Sequence, residues 1–140
     1  MRKVFLDTNI LLDYGQERED FEAANAIFKL GETGKIELYA SYLSYANLGY
    51  ILRHYPQAER YEIISNMREG IVVLPCDAAQ LDVAIRNPVK DYEDMLQYQC
   101  ALAFGCDVIV TNNKRDFHEF CVIPFVTSEE FLLDFFTSQN

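Results

Sequence analysis

Short runs of apolar residues alternate with segments of helical periodicity along the chain, and this alternation limits the possible folds more than any other feature. Strands are predicted at residues 3–6, 36–40, 71–74 and 108–110. Helices are predicted at about 20–34, 43–53, 57–69, 77–86, 91–104 and 127–136. The strands are apolar throughout, which is typical of a sheet covered on both faces. The sequence therefore predicts an α/β fold with a short central parallel sheet of four or five strands, flanked by helices on both faces.

The length and the strands also predict where the core lies. A chain of 140 residues is one domain's worth, so we expect a single domain over residues 1–140. Half of the residues are hydrophobic, which argues against disorder. Because both faces of the sheet are expected to be covered, burial is predicted for six strand residues. These are Val4, Leu6, Val72, Leu74, Ile109 and Val110.

Charge and cysteine content exclude some classes of function. A net charge of −10 argues against tight, non-specific binding to a nucleic-acid backbone, which needs clustered Lys and Arg. It does not exclude a nuclease, because bound metal ions invert the local field around carboxylates. The four cysteines include no CxxC pair and only two histidines occur, so a zinc site is poorly supported. The apolar run at residues 4–6 is too short for a signal peptide or a membrane span. Free, mostly buried thiols in a reducing cytoplasm are therefore expected.

Acidic residues lie close to the ends of two predicted strands. Asp7 directly follows the first strand, and Asp116 lies six residues after the last. Asp94 lies in the first turn of the helix that leads into that last strand. In a parallel sheet, all three positions fall at the edge where the strands end and where ligands bind. Three carboxylates that converge there would repel each other unless a hard divalent ion such as Mg²⁺ bound them. Such an ion can activate water against a phosphodiester.

Each acidic residue also has a purely structural interpretation. Asp7 suits the N-cap of a following helix, and Asp91, which directly precedes a helical run, is better explained as an N-cap than as a ligand. Asp94 could complement the dipole of its helix, and Asp116 could be a turn residue. Only the joint placement of the carboxylates at one sheet edge favours a metal site.

Three segments resemble the motifs of PIN domains and occur in the same order. They are residues 4–13, 91–97 and 110–117, and the resemblance spans nearly the whole chain. It implies a ribonuclease that uses Mg²⁺ or Mn²⁺ to cleave single-stranded RNA, and family members are often the toxin of a toxin–antitoxin pair. By motif match, Asp7, Asp94 and Asp116 would be the metal carboxylates and the catalytic residues, and Asn9 and Asn112 would support them. Asp91 and Asn47 are further candidates for a supporting role. An RNA substrate, an antitoxin protein and a second copy of the chain are then the expected partners.

One position departs from the PIN pattern. The family usually has a Glu on the helix after the second strand, and the nearest polar candidate here is Asn47. Asn47 shares a helix face with Ser44 and Ile51, so its side chain is expected to face the cleft. An amide oxygen can coordinate a cation but brings no charge, which predicts weaker metal affinity or a degenerate site. The alternative is that Asn47 is only a satisfied buried amide.

Two other functions fit part of the pattern. One is a catalytically degenerate PIN-like module that binds a partner protein. The other is a phosphotransfer enzyme with Asp7 as nucleophile, as in haloacid-dehalogenase-like phosphatases. Those enzymes place a second Asp two residues after the first, where this chain has Asn9. A separate Lys motif is not evident either, so the phosphatase is the least favoured of the three.

Overall fold

A computed structural model describes residues 1–138 as a parallel sheet between two sets of helices. The strands are β1 (Lys3–Leu6), β2 (Glu37–Ser41), β3 (Ile71–Leu74), β4 (Val108–Val110) and β5 (Phe125–Val126). The helices are α1 (Thr8–Gly15), α2 (Phe21–Glu32), α3 (Tyr42–Ile51), α4 (Gln57–Arg68), α5 (Ala78–Arg86), α6 (Tyr92–Ala103), α7 (Lys114–Phe117) and α8 (Ser128–Ser138). All four strand pairings are parallel, which confirms the predicted fold class.

The strand order, β3-β2-β1-β4-β5, creates a switch point between β1 and β4. From β1 the chain adds β2 and β3 on one side, and it then crosses back to add β4 and β5 on the other. Leu6 pairs with Val110, so β1 and β4 end at the same level. In open parallel sheets, ligands bind in the crevice beyond the strand ends at such a point. The topology therefore places the residues after Leu6 and Val110 at the predicted site.

Two hydrophobic clusters cover the two faces of the sheet. Val4 and Leu6 pack into a cluster with residues of α1, α2, α3, α4 and α8. Phe5 and Ile109 pack into the other with residues of α5, α6 and α7. Successive strand residues point to opposite faces, so both clusters draw on the same strands. Each fully buried Val, Leu, Ile or Phe side chain stabilises the fold by roughly 1.5–3 kcal/mol relative to its exposed state. Covering on both faces explains why the strands lack polar alternation.

The predicted core is correct at every position but one. Burial is confirmed for Val4, Leu6, Leu74, Ile109 and Val110. The prediction for Val72 is wrong, because its side chain is 51% exposed. Val72 lies on β3, which is an edge strand paired only with β2. Leu74, two residues later on the same face, is buried, so the cover over this face of the edge strand is incomplete and an apolar run does not guarantee burial.

The cysteines correct a second expectation. Cys76, in the loop after β3, and Cys100, on α6, form a disulfide, with their Cα atoms 6.0 Å apart. They are 24 residues apart in the sequence, so only the packing of α6 against this loop brings them together. Cys106 is free and buried, and Cys121 is free and half-buried. Burial raises the pKa of each of these two thiols to about 11.

No helix within residues 1–138 combines the length and the apolar character that crossing a membrane requires.

Candidate metal centre

Asp7 lies at the switch point, directly after β1, and is the N-cap of α1. Its side chain is buried, and both of its oxygens accept hydrogen bonds. The backbone N–H of Thr8 donates to Oδ1 at 2.8 Å, and the Thr111 hydroxyl donates to Oδ2 at 2.9 Å. Burial raises the pKa of Asp7 to about 6, and the two hydrogen bonds offset that rise only in part. Asp7 is therefore a helix cap with a fixed orientation, and its carboxylate is costly to ionise.

Asp91, Asp94 and Asp116 form a cluster in which one carboxylate oxygen of each lies within 4.8 Å of the others. Asp91 is the N-cap of α6, since its Oδ1 accepts from the N–H of Asp94 at 3.1 Å, as the sequence predicted. Asp116 lies on α7 and accepts a hydrogen bond from the side-chain amide of Asn113. The cluster thus contains two of the three predicted ligands, together with Asp91, whose place in the sequence had favoured a cap over a ligand.

The four carboxylates destabilise one another when ionised. The pKa of Asp94 is raised to about 8, first by burial and then by the negative charges of Asp7, Asp91 and Asp116. The salt bridges within residues 1–138 do not involve these carboxylates. A hard divalent cation with oxygen ligands would remove this repulsion. The donor set and its uncompensated charge therefore fit such an ion.

A cavity of about 190 Å³ joins the four carboxylates. Its other lining residues are Thr8, Asn9, Leu12, Asn47, Ile51, Glu93, Gln97 and Asn113. One water molecule needs about 10–15 Å³ of such space, so the cavity has room for an ion together with several waters. The cavity is open to solvent on one side, so a longer substrate can extend beyond it.

Asn47 faces this cavity, as its position on the helix predicted. Its side chain is partly exposed, and within the described part of the chain no protein group forms a hydrogen bond with its amide. The alternative of a satisfied buried amide is therefore wrong. Asn47 therefore lines the cavity with a neutral amide whose oxygen is available to a cation.

The two other asparagines predicted to support the carboxylates lie in different places. Asn9 lines the cavity, and its Oδ1 and backbone carbonyl accept from the guanidinium of Arg18 at 3.4 and 3.2 Å. Asn112 does not line the cavity. Its amide donates to Asp13 at 3.2 Å, and its Oδ1 accepts from the N–H of Ser128 at 3.1 Å. Asn112 therefore links α1 to the start of α8 and does not contact the carboxylates that line the cavity.

A buried network of hydroxyl groups around Gln97 was not predicted. The amide nitrogen of Gln97 donates to Ser44 at 3.0 Å and to Thr8 at 3.3 Å, and its oxygen accepts from Ser41 at 2.6 Å. These contacts join α6 to α1 and α3 beside the cavity. The sequence offered one signal, a glutamine one turn after Asp94. The hydroxyl partners of Gln97 come from distant segments of the chain, so the network itself could not be predicted from the sequence.

Comparison with known proteins agrees with the resemblance of the motifs. A family model described as PIN domain matches residues 3–115. Ribonuclease VapC1 of Aquifex aeolicus (strain VF5) is 26% identical over 135 residues, which are 92% of each chain.

Solved structures share the fold. VapBC2 from Rickettsia felis, bound to a DNA fragment from their promoter, matches with a TM-score of 0.66 and 15% identity, over 88% of this chain and 96% of that one. Mycobacterium tuberculosis VapC20, a toxin that cleaves the sarcin–ricin loop, matches with a TM-score of 0.58 and 11% identity, over 76% of this chain and 86% of that one. At these identities the likeness concerns the fold alone.

Proposed function

The chain belongs to the PIN domain family, and from this premise we propose that it is a divalent-metal-dependent endoribonuclease that cleaves single-stranded RNA. The observation that carries the proposal is the group of four carboxylates at the switch point of the sheet, where the pKa of Asp94 is raised to about 8. The likeness to Ribonuclease VapC1 over most of both chains supports RNA as the substrate class.

The residues of the cavity have distinct roles in this proposal. Asp94 and Asp116, with Asp7 and Asp91, would hold Mg²⁺ or Mn²⁺. When bound, such an ion lowers the pKa of an attacking water and offsets the charge that develops on the phosphodiester. The Thr111 hydroxyl holds the carboxylate of Asp7 in one orientation. Asp91 caps α6 and so positions Asp94 at the start of that helix.

The charge of the chain makes RNA binding conditional on the ion. With a net charge of −10 and five acidic side chains lining the cavity, the protein without metal repels a phosphate backbone. A divalent ion reverses the local field at that point. We therefore expect metal and RNA to bind with positive coupling.

The proposal includes two protein partners, an antitoxin and a second copy of the chain. The toxin VapC20 and the complex VapBC2 share this fold and support a place in a toxin–antitoxin pair. Co-purification with the product of an adjacent coding frame, and the mass of the particle in solution, would test the two partners separately.

Cleavage of a mixed pool of single-stranded RNA tests the function itself. The pool is incubated with the protein and Mn²⁺, Mg²⁺ or excess chelator. Cleavage with either ion and none in chelator is the expected result. Cleavage that continues in excess chelator would refute the mechanism.

The neutral side chain of Asn47 favours one alternative, a degenerate module that binds a partner protein without catalysis. If the protein neither binds metal nor cleaves RNA with either ion, this alternative holds. The phosphatase gains no support, because Asn9 occupies the position of the second Asp and its amide oxygen is engaged by Arg18.

A further inference from the structure

A second hollow of about 220 Å³ adjoins the acidic cavity. It is lined by Asn47, Tyr50, Ile51 and Glu93. Three of these residues, Asn47, Ile51 and Glu93, also line the acidic cavity. The two depressions therefore share a wall, and a strand of RNA whose phosphate lies in the first would place a neighbouring nucleotide at the second.

Tyr50 is the aromatic residue of this hollow, and its side chain is held in place. The guanidinium carbon of Arg53 lies 3.9 Å from the centre of the Tyr50 ring, and Nη1 of Arg53 donates to the backbone carbonyl of Tyr50 at 2.9 Å. Tyr50 is nevertheless 70% exposed, so Arg53 covers one face of the ring and leaves the other open. Within residues 1–138, no carboxylate forms a salt bridge with Arg53.

We propose that Tyr50 and Arg53 form a nucleotide subsite, in which an unpaired base stacks on the open face of Tyr50 and Arg53 contacts a phosphate next to that base. The inference rests on the proposed ribonuclease function and names how that site holds its substrate. Stacking on an aromatic side chain binds unpaired bases of any sequence and needs no net positive charge. It thus suits a chain whose net charge is −10.

The lining of the hollow favours a base over a phosphate as its occupant. The carboxylate of Glu93 would repel a phosphate there, whereas it can accept a hydrogen bond from the amino group of a base. The amide of Asn47 can donate to or accept from a base edge. Arg53 does not line the hollow, so its guanidinium can contact the phosphate backbone of the RNA.

A structural role for the pair is the competing explanation. Arg53 directly follows the end of α3 and donates to one of its last carbonyls, an arrangement that stabilises helix ends. If this were its sole role, changes at Tyr50 would alter stability and leave RNA binding unchanged. The two explanations therefore differ in a binding measurement.

The absence of tryptophan from the sequence allows a direct test. Tyr50→Trp introduces the one tryptophan of the chain, and Tyr61→Trp on α4, where the native side chain is 64% exposed, is the matched control. Each variant is titrated with a short single-stranded RNA in Ca²⁺, and the RNA is then checked on a gel to be intact. Saturable quenching in Tyr50→Trp and none in Tyr61→Trp is the expected result.

Three further variants separate stacking from charge. Tyr50→Ala should weaken RNA binding, followed by fluorescence anisotropy of a labelled RNA, by roughly fivefold or more, whereas Tyr50→Phe should retain it. Arg53→Gln should make the slope of log affinity against log salt less steep by about 0.7. Unchanged affinity in Tyr50→Ala, or a Tyr50→Trp variant that RNA does not quench, would overturn the subsite.

Cleavage by the wild-type protein, assayed beside these titrations, distinguishes the two proposals. Cleavage without quenching would support the ribonuclease function and refute the subsite. Quenching without cleavage in Mg²⁺ or Mn²⁺ would support the subsite and refute the ribonuclease function.

Discussion

At the scale of single residues, the neutral side chain of Asn47 distinguishes this cavity from the usual PIN pattern. The Asn47 amide faces the four carboxylates and has no protein partner in the described part of the chain. Asn47 lies one turn after Ser44 on α3. By the resemblance of the motifs, α3 is the helix on which the family usually has a Glu. The cavity therefore lacks one charge at a place where the backbone already directs a side chain inward.

Replacing this amide by a carboxylate should strengthen metal binding. Asn47→Glu adds one negative ligand to the carboxylates that would hold the ion, and the affinity of oxygen sites for hard cations rises with their negative charge. We expect about tenfold tighter binding of Mn²⁺ by calorimetry. Asn66→Glu, at an exposed position on α4, is the control for the change in net charge. An affinity that does not exceed that of the control would place Asn47 outside the metal shell.

The raised pKa values of Asp94 and Asp7 predict how stability depends on pH. Both are above the ordinary value of 3.8, at about 8 and about 6, chiefly because of burial. Between those values and 3.8 the folded state holds more protons than the unfolded state. Asp7 and Asp94 therefore contribute most to the free energy of unfolding of the metal-free protein below pH 3.8, the pKa of the unfolded state, and this contribution falls as pH rises towards 8.

Thermal unfolding in chelator between about pH 6 and 8 measures this effect, because exposed carboxylates are fully ionised there. The Tm should fall with rising pH in the wild type and in the control Asp82→Asn, an exposed residue of α5. Asp94→Asn should flatten the profile, and excess Mg²⁺ should do the same for the wild type. A Tm that rises with pH in this window would contradict the assigned shifts.

At the scale of elements, those marked by an apolar run or a helical period were predictable, and those without either signal were not. The strands β1 and β4 and the start of α6 follow from apolar runs and a capping Asp, and these elements bring Asp7, Asp94 and Asp116 to one cavity. The elements α7 and β5, with 4 and 2 residues, were not predicted. The eight residues of α1 are too few to show a period, so this helix was indicated only by Asp7 as its cap. Val72 was misjudged because strand order, which decides which strand lies at an edge, is not a local property.

The Gln97 network is a contact between elements whose strength can be measured. Gln97→Leu keeps the volume but removes the amide shared by three hydroxyls, of Thr8, Ser41 and Ser44. The Ser41 hydroxyl then becomes a buried donor without its acceptor, whereas the hydroxyls of Thr8 and Ser44 keep the hydrogen bond between them. A buried donor left unpaired costs about 1–3 kcal/mol, so the free energy of unfolding in urea should fall by about that amount.

Gln99→Leu on the same helix is the matched control. Its amide contacts only the sulfur of Met95, at 3.4 Å, among the hydrogen bonds of the described residues. The control should therefore cost less than Gln97→Leu. Equal losses in the two variants would show that the network adds nothing to the stability of α6 against its neighbours.

At the scale of the whole molecule, the parallel topology assembles the cavity from distant parts of the chain. Asp7 directly follows β1, β4 leads to Asp116, and the start of α6 supplies Asp91 and Asp94. That the two strand ends share an edge was predictable from the alternation of strands and helices. The sequence assigned Asp91 a supporting role, and it predicted neither that Asp91 joins the cluster itself nor that Cys76 bonds to Cys100. Both depend on how α6 packs against its neighbours.

The most direct measurement compares RNA cleavage by the wild-type protein and by Asp94→Asn. The substitution keeps the shape of the side chain and removes one charge from the carboxylate cluster, so the variant should fold normally. With Mg²⁺ or Mn²⁺, cleavage of single-stranded RNA should fall by roughly a hundredfold or more in Asp94→Asn and remain unchanged in Asp82→Asn. Full activity in Asp94→Asn would show that the carboxylates at the switch point do not carry the reaction.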